Sequence, residues 1–248
     1  INVIEEFALA LGQAKAPFIR LGNGLTRYGN GAMNARCITM LPALRGAWEH
    51  LGGGIMASLG TNHLAGEPIL DNPNKPAPCK RHVHMIQLGE ILTGSYIDEK
   101  GNPMSVPVKS LYIYSSNPAI TAANQTLVRK GLQRDDLFTV VHERFFTDTC
   151  AYADIILPAT SSVEHNDIYT SYGHYYIGLG SQLIPPIGQS KSNWQVFSLL
   201  AKALHIQDDF MNQSEQDLIT RMIDSITVFT PEEKEQLRQG QPVEIPMQ

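Results

Sequence analysis

The sequence predicts an α/β fold: a Rossmann-like three-layer sandwich built on a mostly parallel sheet. Short apolar runs alternate with helical patterns between 110 and 160, and a parallel strand pair requires such a crossover. The runs SLYIYSSN, LFTVVHE and DIILPAT are apolar on both faces, as in a sheet covered by helices on both sides. Each run also opens into a cluster of hydroxyls, amides or carboxylates. In open parallel sheets, ligands bind beyond the carboxyl ends of the strands.

At the start of the chain, Ile4, Phe7, Ala8 and Leu11 recur at helical spacing, and Pro17 follows the stop. PFIRLG (Pro17 to Gly22) predicts a short buried strand, GNGLTRYGNG (Gly22 to Gly31) a glycine-rich turn, and MNARCITMLPALRGAWEH a second helix. LGGGIMASLGTNHLAGEPILDNPNKPAPCKR is rich in Gly, Pro and Asn and has no period. It opens an irregular excursion from the core expected over 52–108, within which HMIQLGEILTG predicts a short amphipathic helix. Next come the strand SLYIYSSN, a helix over AITAANQTLVRKGLQ, the strand LFTVVHE, a helical turn in FFTDTCAYA and the strand DIILPAT. In IYTSYGHYYIGLGSQLIPPIG, period-two aromatics interrupted by glycines predict an irregular hairpin. WQVFSLLAKALHI and EQDLITRMIDSI predict two closing helices, and TPEEKEQLRQ a third, with Thr230 as N-cap and Pro231 at its first position. Two units are expected: an α/β domain over 1–206 and a helical extension over 207–248.

The 248 residues, 43% hydrophobic and 17% charged, suffice for one large domain with ample core. A net charge of -5 and the absence of any Lys/Arg run exclude a nucleic-acid partner. No apolar run approaches the roughly 18 residues needed to span a bilayer, and the N-terminal residues lack the order of a secretory signal. The sequence begins without Met and already in helical register, and is read as an internal piece of a longer protein. Cys37, Cys79 and Cys150 form no C-x-x-C pair, which suits a reducing compartment. Three thiols exclude a four-cysteine cluster within this chain.

Four strand ends carry candidate groups. In SSNPAIT (Ser115 to Thr121), Pro118 pre-sets a helix whose N-terminus suits a phosphate, or is simply capped by Asn117 or Thr121. GNGLTRYGNG resembles a phosphate cradle but is neither G-x-G-x-x-G nor a Walker motif. Glu143, at the end of a strand that follows the SNP turn and its helix, stands where doubly wound folds place the acid that takes ribose hydroxyls. Cys79, His82 and His84 give three close ligands where structural zinc needs four. His165 or His174 with Ser161, Ser162 and Asp167 contain the residue types of a hydrolytic triad, without a G-x-S-x-G elbow.

In order and spacing, SLYIYSSNPAITAANQ, then LFTVVHERFFTDTCAYADIILPATSSVEHNDIYTSYGH, resemble the molybdopterin oxidoreductases of the dimethyl sulfoxide reductase family. PFIRLGNGLTRYGNGAMNARCITMLPALRGAWEHLGGG is similar to that family's preceding segment, so the resemblance spans about Ile4 to Ile206. It implies molybdenum or tungsten held by a bis-molybdopterin guanine dinucleotide, and two-electron oxygen-atom transfer or dehydrogenation in a prokaryotic cytoplasm or periplasm. Ser116, Asn117 and Pro118 would face a diphosphate or ribose, and Glu143 the ribose or guanine edge. Thr147, Thr149 and Glu164 match polar positions around that site. Gly22, Gly24 and Arg27 match a loop near the pterin and substrate funnel. The metal ligand, a 4Fe-4S cluster segment and the barrel over the second dinucleotide are not in this sequence. They are expected in the remaining domains of the same large subunit, with an electron-transfer subunit as partner. IMASLGTNHLAG stands where formate-type members carry an Arg-Gly-Gln-Asn-like run, which disfavours formate. The fragment alone is expected to be inactive. A stand-alone nucleotide-binding or interaction module without redox activity is the alternative.

Overall fold

The computed structural model describes residues 1–57, 82–98, 100–104, 106–170 and 174–246. Helix α1 (Asn2–Gln13) leads to β1 (Phe18–Arg20), a 3-10 turn at Asn23–Thr26, α2 (Gly31–Arg45) and β2 (Gly54–Met56). Next come α3 (Leu88–Thr93), β3 (Ser110–Tyr114), α4 (Pro118–Thr121), α5 (Gln125–Leu132), β4 (Phe138–Glu143), the 3-10 turn Asp148–Tyr152 and β5 (Ile155–Pro158). The rest comprises β6 (Asp167–Tyr169), β7 (Tyr176–Gly180), α6 (Asn193–Ala203), α7 (Glu215–Ser225), α8 (Pro231–Arg238) and β8 (Val243–Glu244). The α/β class with mostly parallel pairing is as the sequence predicts. Among the described residues, however, the strands form three small sheets, ordered β1-β2, β3-β4-β5 and β6-β7-β8.

The first two sheets are parallel throughout, and the third is antiparallel. β1 is not the buried strand expected, since Phe18 is 52% exposed. β2 lies inside the stretch expected to be irregular. Gly54 there holds a φ of 118, and a Cβ would stand 2.6 Å from the Trp48 ring nitrogen, so glycine is required. The single helix expected over AITAANQTLVRKGLQ is broken. Asn124 takes a left-handed φ of 53 between α4 and α5, a conformation that Asn tolerates better than most residues.

The β3-β4-β5 sheet is the middle of three layers. Ile113 and Val141 on one face share a core with Leu92 of α3 and with Val128 and Leu132 of α5. On the other face, Tyr112 and Tyr114 pack against Phe197 of α6, with ring centroids 5.3 and 5.6 Å apart. Two glycines bring α3 and α5 into close contact. A Cβ on Gly89 would stand 2.9 Å from Leu127 Cβ, and one on Gly131 would stand 2.4 Å from Leu92 Cβ. A second core joins Ile177 of β7 to Ile219 and Ile223 of α7, Leu237 of α8 and Val243 of β8. Capping boxes start α6, α7 and α8, the last with Thr230 as cap and Pro231 in the first turn, as the sequence predicts.

Glu164 fastens the loop after β5. Its Oε2 accepts from the Ser161 hydroxyl and N–H, both at 2.7 Å, and its Oε1 accepts from Ile187 N–H at 2.7 Å. These bonds, the Ser161 hydroxyl first, hold its carboxyl below the ordinary range, against the opposing effect of burial.

Gly131→Ala gains up to about 1 kcal/mol of helix propensity but overpacks the α3–α5 contact at a cost of about 1–3 kcal/mol. Its thermal midpoint is expected to fall, and an unchanged or raised midpoint would contradict the close approach. Glu164 has a folded pKa below its unfolded value, so it contributes stability above the unfolded pKa of about 4.3 and loses it as pH falls through the folded pKa. Glu164→Gln is therefore expected to be less stable than the parent at about pH 7, with the two converging as pH falls through the folded pKa. Urea unfolding across that range tests this, and a pH-independent difference would refute it.

Candidate functional site

At the carboxyl ends of β3, β4 and β5 lies a cavity of about 480 Å³. Ser115 after β3, His142, Glu143 and Arg144 at the end of β4, and Thr160 and Ser162 after β5 form one wall. Asp167 and Tyr169 of β6, Asn193 and Trp194 of α6, and Glu215 of α7 form the other. Ladder register explains the first wall. Tyr114 pairs with His142, and Glu143 pairs with Pro158, so the residues just beyond each strand stand side by side.

Ser115 is held at a left-handed φ of 50. Such a conformation costs on the order of 1 kcal/mol or more in a non-glycine residue and persists where the surroundings over-determine it. His142 is 1% exposed, and its Nε2 lies 3.1 Å from the Lys191 carbonyl oxygen. A carbonyl only accepts, so Nε2 donates, and in the tautomer with that single hydrogen Nδ1 is an acceptor. Nδ1 is buried and has no partner among the described residues.

Glu143 Oε1 accepts from Arg144 N–H at 2.7 Å. Thr160 Oγ1 lies 2.9 Å from His165 Nδ1, and His165 Nε2 lies 3.8 Å from Asp167 Oδ2. Burial, and then the Asp167 charge, raise the Tyr169 phenol above its ordinary range, against the pull of Arg144. The walls therefore combine three carboxylates, Glu143, Asp167 and Glu215, with the guanidinium of Arg144. This set takes N–H and O–H donors and offers one strong anion partner.

Of the residues singled out by sequence, Glu143, Ser162, His165 and Asp167 line the cavity, whereas several others lie behind it. Asn117 Oδ1 accepts from Thr149 N–H at 3.2 Å and from the Thr149 hydroxyl at 2.6 Å. Thr149 Oγ1 accepts from Ala119 N–H at 3.2 Å. That N–H of the four-residue α4 is thus committed to Thr149, and neither Asn117 nor Thr121 caps the helix through its side chain. Pro118 is buried beneath the turn and Ser116 is exposed. Thr147 Oγ1 lies 3.6 Å from Cys150 Sγ. Glu164 turns both carboxylate oxygens to its own loop and to Ile187. Gly22, Gly24 and Arg27 are exposed at the turn after β1 and do not line this cavity.

Tyr169 and Glu215 escaped the sequence reading, and Ser115, His142 and Arg144 entered it only as members of the polar strand ends SSNPAIT and HERFFTDT. His142 and Arg144 flank Glu143 in VVHER, a usable signal, but nothing local marks Glu215, whose role depends on where α7 docks. The triad residue types do not assemble around a serine: Ser161 is bonded to Glu164, and His165 meets Thr160. Cys79 of the zinc candidate and most of IMASLGTNHLAG fall outside the described residues. Among the described residues, no three or more His, Cys, Asp or Glu converge as metal ligands, and no helix is long and apolar enough to cross a membrane.

The sequence profile of the molybdopterin oxidoreductase family matches residues 3–203. Probable oxidoreductase YoaE of Bacillus subtilis is 42% identical over an alignment of 227 residues that covers 89% of this chain and 31% of that protein. Putative dimethyl sulfoxide reductase chain YnfE of Escherichia coli is 33% identical over 66% of this chain and 21% of its own length. The structure of acetylene hydratase from Pelobacter acetylenicus covers 64% of this chain and 20% of that one, with a TM-score of 0.48 and 20% identity. The chain spans less than a third of the length of these relatives. With most of its length matched by the family profile, the chain belongs to the molybdopterin oxidoreductase family.

Proposed function

We propose that this chain is the dinucleotide-binding α/β part of a molybdenum or tungsten oxidoreductase whose cofactor is a bis-molybdopterin guanine dinucleotide. The observation that carries the reading is the cavity at the carboxyl ends of β3, β4 and β5 in a chain of this family. Its volume lies within the range of about 300–1,000 Å³ typical of small-molecule pockets. A ribose and a guanine present O–H and N–H donors, and the walls are rich in acceptors. His142 belongs to this wall, and its buried Nδ1 has no partner among the described residues, so the wall has room for one more donor. A buried acceptor left unsatisfied costs about 1–3 kcal/mol, which a ligand donor relieves.

When bound, the pterin-held metal supplies the two-electron chemistry. The residues of this chain bind and orient. Glu143 accepts from the ribose or the guanine edge, and Arg144 beside it serves a phosphate. Asn117 and Thr149 hold the SNP turn against the crossover, and Glu164 holds the loop after β5, so the cavity wall keeps its shape. Gly22, with open space where a side chain would stand, and Gly24 and Arg27 are assigned to the pterin and substrate funnel. The full reaction is oxygen-atom transfer or dehydrogenation. The remaining domains of the large subunit would supply the metal ligand and a 4Fe-4S cluster, and an electron-transfer subunit would be the partner.

In the full-length protein, Glu143→Ala is expected to weaken cofactor retention about tenfold or more, the loss of a hydrogen bond to a charged group being worth about 1.5–3 kcal/mol. Asn117→Ala is expected to act in the same direction by loosening the turn. Metal analysis and chromatography of guanine nucleotide released on denaturation measure both effects. Normal occupancy in the two variants would overturn the assignment.

A further inference from the structure

Tyr169 on β6 and Gly180 on β7 meet across their antiparallel pair. A Cβ placed on Gly180 would stand 2.2 Å from Tyr169 Cε2 and 2.8 Å from Cδ2. Both are atoms of a rigid ring, so any side chain at Gly180 displaces the ring as a whole. The backbone of Gly180 has no positive φ that would itself demand glycine. The Tyr169 ring is therefore the contact that excludes a side chain at this position. The same ring lines the cavity beside Asp167 and Arg144, remains 39% exposed, and its hydroxyl has no hydrogen-bond partner among the described residues.

The surrounding surface shows what such a ring serves. Glu143, Asp167, Asn166 and Ser162 present polar groups to the cavity, which suit the edges of a nucleoside but not the faces of its base. Trp194 also lines the cavity, but its Nε1 donates to the Gln213 carbonyl at 2.8 Å and its ring packs on Phe210. It is committed to holding α6 against the segment before α7. The Tyr169 hydroxyl has no such bond among the described residues. A ring already seated on bare backbone loses little side-chain freedom when a ligand covers it.

We propose that Tyr169 is a base-positioning residue of this cavity, seated by Gly180 so that a planar nucleobase stacks on its ring. The proposal rests on the reading of the cavity as a nucleotide site. Stacking on an aromatic side chain is worth about 1–3 kcal/mol per base and tolerates any base. The ring therefore supplies affinity, while the carboxylates at the edge choose the base.

The test uses cofactor-free full-length protein and calorimetric titration with GDP, with inorganic pyrophosphate as a probe that lacks a base. Tyr169→Leu, which keeps the apolar bulk but removes the aromatic face, is expected to weaken GDP about 5- to 150-fold, the equivalent of about 1–3 kcal/mol. Pyrophosphate binding is expected to stay unchanged, and Tyr169→Phe to keep the parent affinity for GDP. Gly180→Ala is expected to weaken GDP in the parent and to add nothing in the Tyr169→Leu background. Parent protein that binds GDP no better than pyrophosphate would overturn both the nucleotide reading and this proposal. A Tyr169→Leu variant with the parent's GDP affinity would overturn the stacking role alone. A Gly180→Ala variant with unchanged GDP affinity would overturn the seating by Gly180.

Discussion

Parallel pairing of β3, β4 and β5 is the constraint on which the rest of the site depends. A parallel strand reaches its neighbour only through a crossover, so all three strands must end on one side of the sheet. Their apolar bodies are consumed by the core on one face and by α6 on the other. Thr139 and His142 are buried within β4, and most other polar groups collect where the strands stop. The register then decides which of them meet. With Tyr114 opposite His142 and Glu143 opposite Pro158, Ser115, Arg144 and Ala159 follow at adjacent strand ends. A shift by one residue in β4 would turn Val141 out of the core and His142 into it, so burial locks the cavity wall as firmly as it locks the sheet.

Gathering polar loops at one edge creates a second demand, because every buried N–H and C=O needs a partner. The chain meets it with side chains. Asn117 and Thr149 tie the turn after β3 to the crossover after β4, and His142 ties β4 to the Lys191 carbonyl. Glu164 ties two loops, and as a charged acceptor of three bonds it is the strongest of these fastenings, since bonds to charged groups exceed neutral ones by about twofold. Residues of one motif thus divide into those that face the cavity, such as Glu143, and those that hold its wall. A substitution in the second class changes binding by moving the first.

What was legible in the sequence was local. Alternating strands and helices, the Thr230–Pro231 cap and the strand-end position of Glu143 depend on residues close in the chain, and each is found in the structure. What was not legible depends on distant partners. β2 follows a run of glycines, is only three residues long, and exists because β1 lies beside it. β8 is two residues long and is recognisable only against β7. The break at Asn124 has a weak local signal, since Asn both tolerates a left-handed φ and sits within an otherwise helical pattern. In the site, Ser115, Tyr169 and Glu215 come from three elements that meet only after folding.

The cavity also bridges two cores that share no buried residue. Ser115, Glu143 and Arg144 stand on the sheet that closes over Val141, whereas Asp167, Tyr169 and Glu215 belong to the strand and helix that pack around Ile223. Ile219 takes part in both settings, as a member of the second core and as a lining residue. A ligand that touches both walls favours the arrangement in which they face each other and stabilises it by mass action, by about 2.7 kcal/mol at a hundred times its Kd. The same linkage runs in reverse. Loosening the second core spreads the β6 and α7 wall over more arrangements, only a fraction of which bind, and apparent affinity falls by that fraction. In the proposed nucleotide site, the antiparallel sheet and the closing helices would therefore act on binding through the position they give to Asp167 and Tyr169.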